Sequence, residues 1–126
     1  MRHWHHQFPI LIATLLATFI LFYVYVAEAA DHYVGTFRDG NNAYVMTETI
    51  QLFNSGRAGA YECDIRAVKG RNIFYIHYRF EADCNGWNYK NSQRFSGYVS
   101  QSSTPIAYNI LKYILETYGR SHLLDG

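Results

Sequence analysis

The sequence lacks any block of like charge: 11 Lys and Arg stand against 10 Asp and Glu, a formal net charge of +1. The long-range field that gathers nucleic acid or anionic lipid is therefore missing, which argues against a nucleic-acid partner. Catalytic signatures are missing too. There is no Gly-x-Ser-x-Gly elbow, no His-Glu-x-x-His zinc helix, no glycine loop able to cradle phosphate and no paired carboxylate spacing. Nothing in the pattern points to an enzyme, a cofactor or a bound metal. Internal repeats, low-complexity tracts and a second linker are absent as well.

Cysteine is scarce, with only Cys63 and Cys84 in the chain and no Cys-x-x-Cys pair. That spacing suits neither a zinc site nor a thioredoxin-like redox motif. No basic residue flanks Cys84 in Asp83-Cys84-Asn85-Gly86-Trp87 to lower its pKa, so this segment reads as a turn rather than a reactive thiol. No cysteine closely follows the N-terminal apolar stretch either, which excludes lipid attachment at a processed N-terminal cysteine.

What is present begins with an export segment. Arg2 precedes an uncharged run from Phe8 to Ala27, and Ala27-Glu28-Ala29 places small residues two apart before Ala30. Signal peptidase accepts that pattern, so residues 1–29 read as a signal peptide cleaved after Ala29. The run of about 20 residues is also long enough to span a bilayer, which leaves an uncleaved membrane anchor over residues 8–27 as the alternative. Either way Arg2 keeps the N-terminus inside and the rest of the chain faces outward, in the periplasm, on the outer surface or outside the cell. His3, His5 and His6 around Trp4 fall in this segment and have no rigid frame to make them metal ligands.

Residues 30–126 then form one domain of roughly 97 residues. Twelve tyrosines, ten of them after Ala30, sit mostly in alternating segments where aromatics favour strands. Asp39-Gly40-Asn41-Asn42 predicts a turn between strands at Tyr33 to Phe37 and Ala43 to Ile50. From Tyr61 to Ala67 odd positions are apolar and even ones charged, the period of a half-buried strand. A second alternating strand, Ile73 to Phe80, follows a turn at Gly70-Arg71. This register sets Tyr61 opposite Phe80, Cys63 opposite Tyr78, Ile65 opposite Ile76 and Ala67 opposite Phe74, all on one core face. His77 falls on the other side, between Tyr75 and Arg79, and neither it nor His32 or His122 belongs to a recognisable motif.

Asn85-Gly86 predicts a tight turn, and Arg94 to Ser100 a last strand. A helix follows, with Ser103 or Thr104 as N-cap, Pro105 at its first position and Gly119 as its stop. Its apolar stripe, Ile106, Ala107, Ile110, Leu111, Ile114, Leu115 and Tyr118, must pack on the sheet, leaving Asn109, Lys112 and Glu116 to water. The expected class is thus α+β: an antiparallel sheet of about four to six strands with one C-terminal helix on one face, preceded by the export helix.

The cysteines raise a conflict. An exported domain is expected to bridge its two thiols. The register puts Cys84 about six residues along the strand from Cys63, roughly 20 Å at the rise of a strand and beyond disulfide reach. Either Glu81-Ala82-Asp83 bends Cys84 back to Cys63, or the thiols stay apart and one bridges to another molecule. The internal bridge is the expectation, because free thiols are uncommon in exported proteins.

Three segments together carry a family resemblance: Asn42-Ala43-Tyr44-Val45-Met46-Thr47-Glu48-Thr49-Ile50, then Tyr78-Arg79-Phe80-Glu81-Ala82-Asp83-Cys84, then Ser102-Ser103-Thr104-Pro105 leading into Leu111-Lys112-Tyr113-Ile114. In order and spacing the stretch from Ala43 to Ile114 resembles the surface-adhesin protein E family of Gram-negative bacteria. The chain departs from it at Leu115-Glu116, where the family's second cysteine ends the last helix, and Cys63 has no counterpart there. The resemblance implies an envelope protein that binds extracellular matrix or plasma proteins. A binding module for protein partners is therefore the leading expectation. A periplasmic structural or accessory protein with no host ligand, tethered by an uncleaved N-terminal helix, is the alternative.

Overall fold

A computed structural model describes residues 31–54 and 58–124. The export helix over residues 8–27, the cleavage site after Ala29 and the N-terminal histidines lie outside the described residues, all of which belong to one unit, Asp31–Gly126. Among the described residues no helix is long and apolar enough to cross a membrane.

The alternation around Tyr61 and Ile76 becomes the two longest strands, β4 (Ala60–Lys69) and β5 (Asn72–Asp83), after β1 (Asp31–Thr36), β2 (Asn42–Met46) and β3 (Gln51–Phe53). β6 (Gly86–Asn91), β7 (Ser96–Tyr98) and the helix α1 (Pro105–Thr117) complete the domain. Every pairing is antiparallel, in the order β1-β2-β4-β5-β6-β7, with β3 also pairing β4. The β4–β5 register is the one expected, with Tyr61 opposite Phe80, Cys63 opposite Tyr78, Ile65 opposite Ile76 and Ala67 opposite Phe74. A slip of one residue would move the whole apolar set to the wrong face, which is why the pattern specifies the pairing so strongly.

Among the described residues the sheet has seven strands rather than four to six, because the strand expected over Ala43 to Ile50 ends at Met46. A single 3-10 turn, Thr47–Thr49, follows, and β3 then resumes along the same strand β4. Thr49 is the hinge of this break. Its Oγ1 donates to the Met46 carbonyl at 2.6 Å and accepts from the Asp64 N–H at 2.8 Å, so a side chain satisfies a ladder donor that no strand residue reaches. The last strand is likewise shorter than expected, Ser96–Tyr98 instead of Arg94 to Ser100.

The helix keeps its expected limits. Pro105 occupies the first turn after Thr104, and Gly119, at φ +67°, ends it. The Arg120 N–H bonds to the Leu115 carbonyl at 2.7 Å and the Gly119 N–H to that of Glu116 at 3.1 Å, the paired bonds of a Schellman stop. Ala107, Ile110, Leu111, Ile114 and Leu115 are buried against Val45, Tyr61, Cys63, Ile65, Ala67, Ile76, Tyr78 and Phe80 of the sheet's inner face. Phe74 and Ile106 also lie on this side of the sheet, half-buried and packed against the margin of the core. Tyr118, beyond the helix end, is 39% exposed although its ring still lies 5.8 Å from that of Tyr61.

Candidate functional site

With the helix packed on one face, the other face of the sheet carries no covering element among the described residues. β4 presents Glu62, Asp64 and Arg66 there, and β5 presents Ile73, Tyr75, His77, Arg79 and Glu81, because side chains alternate across a strand. β1 adds Asp31 and Tyr33, β2 adds Tyr44, and β3 adds Phe53 through the pairings that align them.

His77 is the centre of a row of charges. It lies opposite Asp64, with Nδ1 2.7 Å from Asp64 Oδ1 and Nε2 3.0 Å from Glu62 Oε1. Both ring nitrogens can donate at once only in the imidazolium form. The Glu62 contact, then the Asp64 contact, therefore raise the His77 pKa above its ordinary value against a smaller opposing effect of burial. Arg79 continues the row, its Nη1 3.4 Å from Glu62 Oε2 and its Nε donating to Glu81 Oε1. The Arg79 guanidinium also sits 5.3 Å from the centre of the Phe53 ring. A second pair lies further along the face, where Arg66 Nη2 is 2.7 Å from Asp31 Oδ2 and the guanidinium stands 5.0 Å over Tyr44. Tyr44 in turn packs at 5.6 Å against Tyr33.

Large apolar side chains flank this row in the open. Tyr75 is 62% exposed, Tyr33 52%, Ile73 51% and Phe53 38%. Such residues scattered singly are ordinary, but four on one uncovered face, around charges that already satisfy one another, form a surface suited to receiving another molecule. Both imidazole nitrogens of His77 face carboxylates, and Ser92 Oγ accepts from the His77 backbone N–H at 3.0 Å. Among the described residues no three His, Cys, Asp or Glu side chains are grouped to hold a metal ion.

The expected disulfide is not formed. Cys63 and Cys84 are free thiols, the first buried and the second exposed. β5 runs without a bend through Glu81-Ala82-Asp83, Ala60 pairs with Glu81, and Cys84 falls in the turn beyond, where Asp83 faces Gly86. The separation that the register implied is thus real. Burial, with the neighbouring Asp64 carboxylate, pushes the Cys63 thiol far up and leaves it inert.

Sequence reasoning placed His77 on the outer face but missed its partners. The signal was in the register itself, since the pairing that aligns Tyr61 with Phe80 also aligns Glu62 with Arg79 and Asp64 with His77. The other histidines lie elsewhere: His32 stacks on Tyr113 with ring centres 3.9 Å apart, and His122 sits exposed in the final 3-10 turn. Compared with known proteins, the chain matches no family model, no curated protein and no solved structure.

Proposed function

We propose that this chain is an exported envelope protein whose domain serves as a binding module, receiving a protein partner on the uncovered face of its sheet. One observation carries the reading: Tyr33, Tyr75, Ile73 and Phe53 stand exposed on that face around the ordered row Asp64, His77, Glu62 and Arg79. Tyrosine supplies large, rigid contact area at low entropic cost, and paired charges present a fixed pattern without an unpaired group to desolvate. The export segment read at residues 1–29 and the resemblance to the surface-adhesin protein E family point to partners outside the cytoplasm, matrix or plasma proteins among them.

A photo-crosslinking residue in place of Tyr75, in intact cells exposed to plasma and matrix proteins, tests this. A discrete adduct from Tyr75, reduced by Ile73→Ser and absent when the crosslinker replaces Lys112 on the outer side of α1, is the expected result. Equal adducts from both positions, or none from Tyr75, would sink the reading.

A further inference from the structure

A cleft of about 480 Å³ lies on the helix side of the sheet, apart from the uncovered face, between the end of β1, the β6–β7 turn and the start of α1. It is larger than the hollow of about 330 Å³ beside Arg79 and Glu81, and its size falls in the range of small-molecule sites. Its walls are aromatic, formed by Phe37, Tyr78, Tyr89 and Phe95. Among the described residues that line it, Arg38 is the one that is charged, and none is Asp or Glu.

The outer wall is built to stay in place. Asn91 Oδ1 accepts the N–H groups of Gln93 at 3.0 Å and Phe95 at 3.1 Å, and the Asn91 N–H bonds to the Phe95 carbonyl at 2.9 Å. Arg94 closes this turn at φ +68°, a conformation that a residue with a side chain holds only where its surroundings impose it. The result is that Phe95, 62% exposed, is fixed at the rim of the cleft instead of being folded into the core. At the inner end, the Thr104 hydroxyl donates to the Tyr98 and Ser100 carbonyls and makes no cap bond to the helix. The Ile106 and Ala107 N–H groups therefore lack the acceptor that an N-cap side chain would provide, and both residues line the cleft.

An apolar body and a single positive end define the complementary ligand. We propose that the cleft binds a small organic carboxylate with an aromatic or branched apolar body, its charge at Arg38 and the start of α1 and its body among Phe37, Tyr89 and Phe95. The guanidinium matches a carboxylate in shape and charge, and the aromatic walls remove the body from water. A ligand carrying a positive charge would find no carboxylate among the described lining residues.

Calorimetric titration of the full chain with phenylacetate, phenylacetamide and acetate, corrected by blanks in the same solvent or detergent, separates the two contributions. Phenylacetate should bind saturably, and both the neutral amide and the truncated acid about tenfold more weakly or less detectably. Arg38→Gln should remove the preference for acid over amide, while Phe95→Ser should weaken both alike. Arg38 and Phe95 are exposed, so both variants should keep the parent's unfolding temperature. No saturable binding of phenylacetate, equal binding of acid and amide, or an acid preference that survives Arg38→Gln would each overturn the proposal. Crosslinking from Tyr75 reads the sheet face independently of this result.

Discussion

Arg120 donates from Nη1 to the hydroxyl of Tyr61 at 3.0 Å, joining the residue just past the helix stop to a fully buried ring in β4. A buried phenol needs a partner for its hydroxyl, and the Schellman turn at Gly119 delivers one. The bond is asymmetric in its consequences. Arg120→Ala strands a buried hydroxyl and should cost about 1–3 kcal/mol, whereas Tyr61→Phe removes the need for the bond and should cost about 1 kcal/mol or less. Denaturant unfolding of the two variants checks the order; a larger loss for Tyr61→Phe would contradict it.

The row on the outer face should make stability depend on pH through His77. Its folded pKa lies above the ordinary value of 6.5, so folding favours the imidazolium. That contribution is complete below the unfolded value and is lost as pH rises through the raised folded value. The stability gap between the parent and His77→Gln should therefore be widest below the ordinary value of 6.5 and close as pH rises through the raised folded value. Side-chain exposure of 47% keeps the gap within the ~0–1 kcal/mol of surface pairs. A gap that widens with pH would show that the imidazole is not held between Glu62 and Asp64.

Thiol labelling distinguishes the two cysteines. Under native, non-reducing conditions iodoacetamide should add one label, at exposed Cys84, and a second at Cys63 only in denaturant. Intact mass spectrometry reads both steps. A chain that takes no label until it is reduced would restore the internal bridge.

Charge in the core should be fatal to the fold. Ile76 and Ile110 are 1% and 0% exposed, so Ile76→Asp or Ile110→Asp buries a carboxyl with no partner. The cost is comparable with the ~5–15 kcal/mol that holds a domain together, and cooperative thermal unfolding should disappear. Ile76→Val should cost only about 0.5–1.5 kcal/mol. Retention of the parent's melting temperature by either Asp variant would reject the core assignment.

Gly35 brings β1 close to the start of the helix. Its φ is +141°, and a Cβ there would meet Ile106 Cγ1 at 3.1 Å. Gly35→Ala should destabilise the domain by more than about 1 kcal/mol, and truncating Ile106 alongside it should not restore the loss, because the backbone strain remains. Full rescue by Ile106→Ala would assign the whole effect to packing.

Much of the fold was legible because the relevant signals are local. Alternation from Tyr61 to Ala67 and from Ile73 to Phe80, together with the Gly70-Arg71 turn, was enough to set the register of the central hairpin to the residue. Pro105 and Gly119 bracketed the helix for the same reason, since caps act within one turn. The break at Thr47–Thr49 was not legible. Met46 to Ile50 reads as a strand, and only the demand of the Asp64 N–H for an acceptor turns Thr49 inward. The partners of His77 were implicit in the register, yet a row of charges on paper does not say that both ring nitrogens find carboxylates.

By itself, the sequence determined which face of each strand is apolar, how β4 and β5 pair, and where the helix starts and stops, whereas whether Cys84 bends back to Cys63 was left to the tertiary structure. The first three are consequences of periods of two and 3.6 residues, which any short segment carries within itself. The tertiary structure decided which face of the sheet the helix covers and therefore which tyrosines stay open. It also decided the joins between distant segments, such as Asn109 Nδ2 to the Val34 carbonyl at 2.9 Å and Thr47 Oγ1 to the Tyr113 hydroxyl at 2.8 Å. Such bonds join residues more than sixty positions apart, and they exist only once burial of the Ile110 and Ile114 stripe has fixed the helix at one position on the sheet.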